Sequence, residues 1–316
     1  MNVNQLEFNP LSEKNILQIH QMCEENVRSV SHSLKTFQET TLESDLFNPH
    51  LSIVVSTKQK ELIAFFLVVL RKSLILKRFR KVAVLKFFVV DKKWRNKGIG
   101  SYLLNLLTER IKNSDHKSFR MKFEVMSSMP DYLFPGLNPK HTEAFYFLRK
   151  HGFKKGIERI NLCISLEDLE LNQPSSQKKR FLISRAEKKD QNELTSLKFM
   201  PKEDQLGFWS EEIALTFKKK PITTFIAKDL DKNKIIGWAS HSVQFPGSFG
   251  PTGVKKSERG KGIGTLLLKW CLWDLKTNYR ISRVIINWVE IDKIYFYSKS
   301  IGAHICEVYW TMKKRF

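Results

Sequence analysis

The sequence reads Arg259-Gly260-Lys261-Gly262-Ile263-Gly264 in its second half, and Arg95-Asn96-Lys97-Gly98-Ile99-Gly100 is a near copy in its first half. We refer to the first-half copy as loop 1 and to the second-half copy as loop 2. Each loop follows an apolar, strand-like run and precedes an amphipathic, helix-like run, which is the context of a glycine-rich phosphate loop. The chain therefore contains one pattern used twice.

The spacing around the loops supports a repeat of a larger structure. Val90 lies eight residues before Gly98, and Val254 lies eight residues before Gly262, so an offset of 164 residues relates both pairs. Apolar runs predict strands before and after each loop. These runs are 51–56, 62–70, 82–90 and 119–125 in the first half, and 223–227, 234–243 and 284–288 in the second half. The order of helices and strands around the loops predicts an α/β fold with a mixed sheet, built twice.

The first half is longer than the second after its loop. Gly152-Phe153 and Gly302-Ala303 are related by an offset of only 150, so the first half holds about 14 extra residues. We place them in the proline-rich segment 128–139. An inserted loop beside a site can shape or occlude that site.

The length and composition are those of two globular domains. The polar stretch 166–179 contains Pro174 and predicts a linker between an N-terminal domain, residues 1–165, and a C-terminal domain, residues 180–316. The four cysteines form no C-x-x-C pair, so we expect buried thiols and no metal site.

Charge and hydropathy limit the function classes. The formal net charge is +22, but the lysines are scattered, so we expect a basic surface that attracts phosphate-bearing ligands rather than dedicated nucleic-acid binding. The longest apolar run, Leu62–Leu70, is too short to cross a bilayer, and the N-terminus lacks a secretory pattern. We expect a soluble, cytoplasmic protein that does not bind membranes.

Glycine has a physical purpose in the two loops. A residue without Cβ adopts positive φ and lets the backbone approach an anion, and the following helix adds the positive end of its dipole. The spacing matches neither the nucleotide P-loop, G-x-x-x-x-G-K-[ST], nor the dinucleotide fingerprint G-x-G-x-x-G. Both loops instead read R-x-x-G-x-G, which suits a pyrophosphate.

This pattern resembles the GNAT superfamily of acetyl-CoA-dependent N-acyltransferases, here as two tandem domains joined by a short polar linker. The resemblance implies that acetyl-CoA is the cofactor and that its pyrophosphate binds to the two loops. It also implies that the strand ends at Val90 and Val254 meet the pantetheine arm. The implied cofactor-binding residues are Val254, Arg259, Gly260, Lys261, Gly262, Ile263 and Gly264, with Val90, Arg95, Asn96, Lys97, Gly98, Ile99 and Gly100 in the first half.

The resemblance also indicates which half performs chemistry. Many members use a tyrosine four or five residues before the late glycine to protonate the departing thiolate. Counting back five from Gly302 gives Tyr297, whereas the same count from Gly152 gives Phe147, followed by Leu148. Tyr297 is therefore the candidate general acid, and the first half is interpreted as a degenerate or regulatory copy. The alternative for Tyr297 is an aromatic packing position.

A general base is harder to identify. Glu290 follows the strand that ends near Trp288, where a carboxylate can receive the proton of an attacking amine. The alternative is a solvated surface charge. Glu124 and His141 are the corresponding candidates in the first half, and we interpret both as structural.

The acceptor is expected to be a small molecule with a primary amine. The segment Phe249-Gly250-Pro251, together with Trp288 and Tyr297, is similar to tandem proteins that include bacterial glucosamine and glucosaminide N-acetyltransferases. This resemblance suggests an amino sugar. One alternative is a non-catalytic sensor or scaffold that binds coenzyme A, and another is a ribosome- or RNA-associated protein attracted by charge.

Overall fold

The structure is a computed structural model of the 316-residue chain. It describes residues 5–27, 32–75, 78–114, 121–167, 169–178, 180–196 and 208–315. These residues form two compact units. Unit 1 is drawn from 1–128, 132–158 and 309–316, and unit 2 from 129–131 and 159–308.

Among the described residues, the first half of the chain contains five strands and four α-helices up to residue 150, followed by a sixth strand. Its elements are β1 (Leu6–Asn9), α1 (Ile16–Asn26), α2 (Leu34–Thr40), β2 (Ser52–Thr57), β3 (Leu62–Ile75), β4 (Arg78–Val90), α3 (Ile99–Ser114), β5 (Lys122–Val125), α4 (Thr142–Lys150) and β6 (Lys154–Ser165).

The second half repeats this order. Its elements are β7 (Gln177–Lys178), β8 (Phe181–Arg185), α5 (Gln191–Thr195), α6 (Phe208–Thr216), β9 (Thr224–Asp229), β10 (Lys234–His241), β11 (Ser248–Val254), α7 (Ile263–Thr277), β12 (Arg283–Val289), α8 (Ile294–Ile301) and β13 (His304–Arg315).

Unit 1 has a mixed sheet. Its strands lie in the order β1-β2-β3-β4-β5, and the end of β13 follows β5. Strands β4 and β5 are parallel, and the other pairs are antiparallel. The β13 residues 313–315 pair with 122–124 of β5, so the sheet of unit 1 is completed by a distant part of the chain.

Unit 2 has the same kind of sheet. Its strands lie in the order β6-β12-β11-β10-β9-β8-β7, with β11 and β12 as the parallel pair. Strand β6 joins through its residues 160–165, which pair with β12. The two mixed sheets with the same strand order confirm the predicted α/β fold in tandem.

The domain boundaries predicted from composition remain a prediction. The compact units assign residues 159–165 to unit 2 and residues 309–316 to unit 1. Within the predicted linker 166–179, residues 168 and 179 lie outside the described residues.

One strand continues further than its apolar run. The sequence predicts a strand over 62–70, but β3 extends through Arg71 to Ile75. The Arg71 side chain is buried, and its Nη2 donates to Oε2 of Glu124 on β5 at 2.8 Å. A charged residue can occupy this sheet position because a carboxylate on a nearby strand neutralises it. Glu124 thus has the structural role expected of it.

Other sequence expectations concern the surface and the cysteines. No helix in the described ranges is long and apolar enough to span a lipid bilayer. Cys23, Cys163 and Cys271 are buried free thiols, whereas Cys306 is partly exposed. No described group of three His, Cys, Asp or Glu side chains has a geometry that could hold a metal ion.

Candidate functional site

The two glycine loops follow the same backbone course. Each comes after a short 3-10 turn and leads directly into a long helix, α3 or α7. Gly98 and Gly262 have φ angles of 83° and 78°, and Asn96 and Gly260, two positions earlier, have 61° and 79°. Left-handed residues at a helix start turn successive N–H groups into one concave surface. Both loops can therefore hold an anion.

The concave side of loop 2 is open. A Cβ atom added to Gly260 or Gly262 would meet no atom within 4 Å, and the same is true of Gly98 in loop 1. These glycines are required by their φ angles rather than by close packing.

The last glycine of each loop is in a tighter place. A Cβ on Gly100 would lie 3.3 Å from Cε2 of Phe147, and a Cβ on Gly264 would lie 3.5 Å from Cζ of Phe296. Absence of a side chain lets a phenylalanine of α4 or α8 pack on the helix start. Phe147 and Phe296 are thus equivalent by contact.

Two other predicted residues of each loop have distinct places. Ile99 and Ile263 are buried in the cores and anchor the helix starts. Lys97 lies with its Nζ 4.6 Å from the ring centre of Trp94. Lys261 donates from Nζ to Oε2 of Glu258 at 2.9 Å. Neither lysine is rigidly held, because both contacts are at the surface.

The arginines that begin the loops differ. Both donate from Nε to the carbonyl oxygen of the valine that ends the preceding strand, at 3.0 Å for Arg95 and 3.1 Å for Arg259. Arg95 also donates from Nη1 to Glu143 at 2.9 Å and from Nη2 to Asn26 at 3.2 Å. Among the described residues, no group accepts a hydrogen bond from Nη1 or Nη2 of Arg259. Only loop 2 therefore offers a guanidinium whose ends are free for a phosphate.

A cleft between two parallel strands leads to each loop. In unit 2, β11 and β12 pair only at Ser248 with Ile285 and at Phe249 with Ile286. In unit 1, β4 and β5 pair only as far as Leu85 with Val125. Beyond these pairs the strands separate, which leaves backbone and side chains of the cleft for a ligand.

Each cleft has an irregularity at its apex, where the parallel strands separate. Counting back four residues from Val90 and Val254 leads to Lys86 and Gly250. Lys86 lies in a register shift between β3 and β4, and Gly250 in a shift between β10 and β11. Bulges of this kind redirect the backbone and are common beside active sites. The two clefts differ here. Lys86 of unit 1 has a buried side chain, whereas Gly250 at the equivalent position of unit 2 has none.

Tyr297 lies beside the apex of the unit 2 cleft. It is in α8 and 8% exposed, and its ring centre is 6.1 Å from that of Phe249, the last β11 residue paired with β12. Within the described part of the chain, no group hydrogen-bonds to its hydroxyl. Burial raises the pKa of Tyr297 above its ordinary value, so the phenol is protonated at neutral pH.

The corresponding position of unit 1 has no hydroxyl. Because Phe147 and Phe296 contact the same part of their loops, the residue that follows each, Leu148 or Tyr297, is equivalent. This match differs by one residue from the count back to the late glycine. Both comparisons leave unit 1 without a tyrosine at the apex.

Glu290 is at the exposed end of β12. Its side chain is 58% exposed, and Oε1 accepts a hydrogen bond from Nη1 of Arg159 at 3.2 Å. The Arg159 guanidinium in turn lies 5.4 Å from the ring centre of Trp288. The structure shows no contact between Glu290 and Tyr297 among the described atoms. A proton that passes from the cleft to Glu290 therefore requires water.

Sequence reasoning did not identify the buried polar groups of unit 2. Oε1 of Glu212, on α6, accepts from Nε2 of Gln244 at 2.7 Å, and burial raises the pKa of Glu212 to about 8. The hydroxyls of Thr216, Thr224 and Ser240 form a chain with two 2.7 Å contacts. Glu212 and Thr216 are four residues apart in a helix, which is the only sequence signal of a shared polar face.

Unit 1 has aromatic side chains between the corresponding elements. Phe37 on α2 lies 5.2 Å from Phe87 on β4, and Phe87 lies 6.3 Å from Phe134, as ring-centre distances. Phe134 belongs to the 128–139 insertion. The cavity that remains beside these rings is about 20 Å³, roughly the space of one water molecule. The insertion thus adds an aromatic ring to the packing of unit 1 beside β4.

Comparison with known families gives one match. Residues 14–128 and 189–302 each match the acetyltransferase (GNAT) family. A search of curated proteins found no match.

Solved structures share the fold across nearly the whole chain. One is described as a GCN5-related glucosamine N-acetyltransferase region in a fungal multi-domain GH3 β-N-acetylglucosaminidase, with a TM-score of 0.74 and 16% identity over 98% of this chain and 38% of that one. A GCN5-related N-acetyltransferase from Sphaerobacter thermophilus has a TM-score of 0.69 and 14% identity, over 99% and 96% of the two chains. A tandem GNAT protein from the clavulanic acid biosynthesis pathway has a TM-score of 0.67 and 15% identity, with 98% of each chain covered. The present chain thus spans less than half of the fungal protein and nearly all of the other two.

Proposed function

The chain belongs to the GNAT family of acetyltransferases, with two family regions in tandem, and we propose that unit 2 transfers an acetyl group from acetyl-CoA to a primary amine of a small molecule. The observation that carries the proposal is Tyr297. A buried, protonated phenol beside the cleft apex is suited to give a proton to a departing thiolate. Unit 1 has Leu148 at the equivalent position.

The residues of loop 2 fit the pyrophosphate of coenzyme A. The concave surface at Gly260, Lys261 and Gly262 is open, and Nη1 and Nη2 of Arg259 have no acceptor in the described ranges. Backbone N–H groups at a helix start and a free guanidinium are both strong ligands for phosphate oxygens. Val254, at the strand end, and Gly264, under Phe296, complete the wall that faces the cofactor. Acetyl-CoA supplies an activated acetyl thioester when bound.

The proposed reaction is direct attack in a ternary complex. The nitrogen of the neutral amine forms a bond to the carbonyl carbon, and the carbon–sulfur bond breaks. Oη of Tyr297 gives its proton to the sulfur, which leaves as a thiol. The proton lost by the amine passes through water to Glu290, whose carboxylate is exposed at the end of β12. No acyl-enzyme is required, since the chain's residues only position the reactants and move protons.

We propose an amino sugar as the acceptor. The similar fungal structure is described as a glucosamine N-acetyltransferase region, and this fits the buried polar groups of unit 2. Glu212 and Gln244 form one buried polar pair, and the hydroxyls of Thr216, Thr224 and Ser240 form a second buried polar group. Buried polar groups of this kind suit a ligand that carries several hydroxyls.

Unit 1 is proposed to bind coenzyme A without turnover. Loop 1 keeps the left-handed backbone positions of loop 2, which supports binding. Leu148 cannot donate a proton, and Phe134 occupies space beside Phe87 that an acceptor would need. We therefore assign chemistry to unit 2 alone.

The proposal is tested by product analysis. The purified chain is incubated with acetyl-CoA and a mixture of amino sugars, amino acids and polyamines, and the products are identified by mass spectrometry. We expect one acetylated amino sugar and an equal amount of free coenzyme A. A folded protein that binds acetyl-CoA but acetylates no amine would contradict the proposed function and favour a sensor.

A further inference from the structure

Asn287 is at the apex of the unit 2 cleft. The last parallel pair joins Phe249 of β11 to Ile286 of β12, so the next residues in register are Gly250 and Asn287, which do not pair. The ladder between β12 and β6 also shifts between Ile286 and Val289. Asn287 thus lies where the pairing of β12 with β11 ends and its pairing with β6 is interrupted before resuming at Val289. It is the one amide in β12, whose other residues after Arg283 are apolar.

Both polar atoms of this side chain are buried and lack partners. Oδ1 and Nδ2 of Asn287 are inaccessible to solvent, and neither has a hydrogen-bond partner in the part of the chain that the structure describes. A buried amide without partners costs free energy, and native proteins leave few of them. Such a group at a cleft apex has a physical explanation if a ligand supplies the missing partners.

The backbone after Asn287 is held in an unusual conformation. Trp288 has a φ of 59°, which is rare for a bulky residue. Its N–H donates to Oδ1 of Asn161, a buried residue of β6, at 3.2 Å. The guanidinium of Arg159 packs against the indole. Asn161 and Arg159 thus hold Trp288 in a strained backbone conformation. Strain of this kind is common at functional sites.

Unit 1 has an apolar side chain at the same position. Val125 of β5 is the last residue paired with β4, so Met126 corresponds to Asn287. Met126 is buried and has positive φ itself, at 66°, whereas in unit 2 the positive φ belongs to Trp288, one residue after Asn287. A bend thus follows the last parallel pair in both clefts, at positions one residue apart, and neither Val125 nor Met126 supplies an amide in unit 1.

We propose that Asn287 is a catalytic residue that binds the reacting groups. Nδ2 donates a hydrogen bond to the carbonyl oxygen of the acetyl thioester, and Oδ1 accepts one from the attacking amine. As the nitrogen–carbon bond forms, negative charge grows on the carbonyl oxygen, and a fixed donor stabilises that charge more than the ground state. This inference rests on the proposed function of unit 2.

The test compares stability with activity. Asn287→Leu has nearly the same size and removes both polar atoms. We expect kcat to fall about 100-fold, as for loss of one oxyanion donor, while the melting temperature stays equal or rises because no buried amide is left unpaired. If Asn287 were structural, the same substitution would lower the melting temperature. Asn287→Ala provides a second variant if the leucine side chain does not pack.

Unit 1 offers a matched control. Oγ of Ser128 is also buried and has no partner among the described groups. Ser128→Ala removes it just after β5, in the cleft that lacks Tyr297. We expect unchanged or higher stability and unchanged acetyl transfer. Equal loss of activity in both variants would overturn the assignment to Asn287.

A binding measurement separates this inference from the proposed function. Calorimetry of the wild type should show tighter binding of acetyl-CoA than of coenzyme A by about fivefold, the value of one neutral hydrogen bond. Asn287→Leu should bind the two equally. Equal affinities in the wild type would contradict the role of Nδ2. A wild type that prefers acetyl-CoA but acetylates no amine would contradict only the proposed function.

Discussion

Unit 1 and unit 2 have the same strand order, the same cleft between parallel strands and the same left-handed positions in their glycine loops. They differ in what surrounds the cleft. Unit 2 has Tyr297, Asn287 and a buried Glu212, whereas unit 1 has Leu148 and Met126 at the first two positions. The comparison teaches that the loop geometry, which both units share, does not distinguish them, whereas the side chains around the cleft apex do.

The largest expected effect is on acetyl transfer. Tyr297→Phe removes the hydroxyl and leaves the ring that packs on Phe249. We expect kcat to fall by roughly 10²–10⁴, the usual contribution of a general acid, with little change in acetyl-CoA affinity. Steady-state kinetics and calorimetry measure the two quantities.

The control for this variant is in unit 1. Tyr146→Phe removes the hydroxyl of a 67% exposed tyrosine in α4, near the position of Leu148. Transfer should be unchanged. If kcat fell equally in Tyr297→Phe and Tyr146→Phe, or did not fall in Tyr297→Phe, the assignment of acetyl transfer to unit 2 alone would be contradicted.

The next effect is on the stability of unit 1. Phe134 contacts the rings of Phe87 and Tyr309, at 6.3 and 6.4 Å between ring centres. We expect Phe134→Ala to reduce the stability of unit 1 by about 3 kcal/mol, as for other buried phenylalanines. Hydrogen exchange of β3 and β4 amides measures this loss. If Phe134→Ala restored acetyl transfer when it was added to the Tyr297→Phe variant, the Phe134 ring alone would explain the proposed lack of turnover in unit 1.

The arginines of the loops should differ in their contribution to binding. Arg259→Ala removes a guanidinium with free ends, and we expect coenzyme A affinity in unit 2 to fall about 10- to 100-fold, since charge-assisted hydrogen bonds are lost. Arg95→Ala removes a guanidinium that already donates hydrogen bonds to Glu143 and Asn26. Its effect on coenzyme A affinity should be about threefold or less. Calorimetry at constant ionic strength measures both, and equal losses would contradict the difference between the loops.

The two units should also show opposite pH dependences of stability. Burial raises the pKa of Glu212 to about 8, so folded unit 2 holds a proton that the unfolded chain releases above its ordinary pKa of 4.5. The stability of unit 2 should therefore fall as the pH rises from 4.5 to 8. Burial lowers the pKa of His32 to about 4, so the unfolded chain binds a proton that folded unit 1 does not. The stability of unit 1 should fall as the pH drops from 6.5 to 4.

Glu212→Gln sharpens this comparison. The glutamine amide does not titrate in this range, so the part of the pH dependence of unit 2 that comes from Glu212 should disappear between pH 4.5 and 8, and the variant should melt above the wild type at pH 8. Hydrogen exchange at pH 5 and pH 8 follows each unit separately. A variant that shifts the pH dependence of unit 1 instead would contradict the assignment to Glu212.

Local sequence was sufficient to predict the glycine loops. The loop geometry depends on Gly98, Gly260 and Gly262, whose φ angles follow from residue type. The strands near them were also predictable, because apolar runs mark buried strands. The parts of the fold that are determined by local residue types could therefore be predicted from the sequence.

The rest depends on contacts between distant residues. The equivalence of Tyr297 with Leu148 follows from how Phe296 and Phe147 pack on the loops, and a count along the helix differs by one residue. Asn287 shows no unusual pattern in the sequence beyond being polar in an apolar strand. Its role is inferred from its position, where the β11–β12 ladder ends and the β12–β6 ladder shifts register. Glu290, which was predicted as the base, stays a prediction, and its position is governed by Arg159 of another strand.

The strand arrangement of unit 1 has a consequence for how the chain is made. Residues 309–315 belong to unit 1, but residues 159–308 of unit 2 precede them in synthesis. Until they emerge from the ribosome, β5 lacks the neighbour that pairs with its residues 122–124 and presents an open edge. Open edges invite pairing with other chains. Unit 1 cannot complete its sheet until unit 2 has been translated, so the β5 edge stays open to pairing with other chains during that interval.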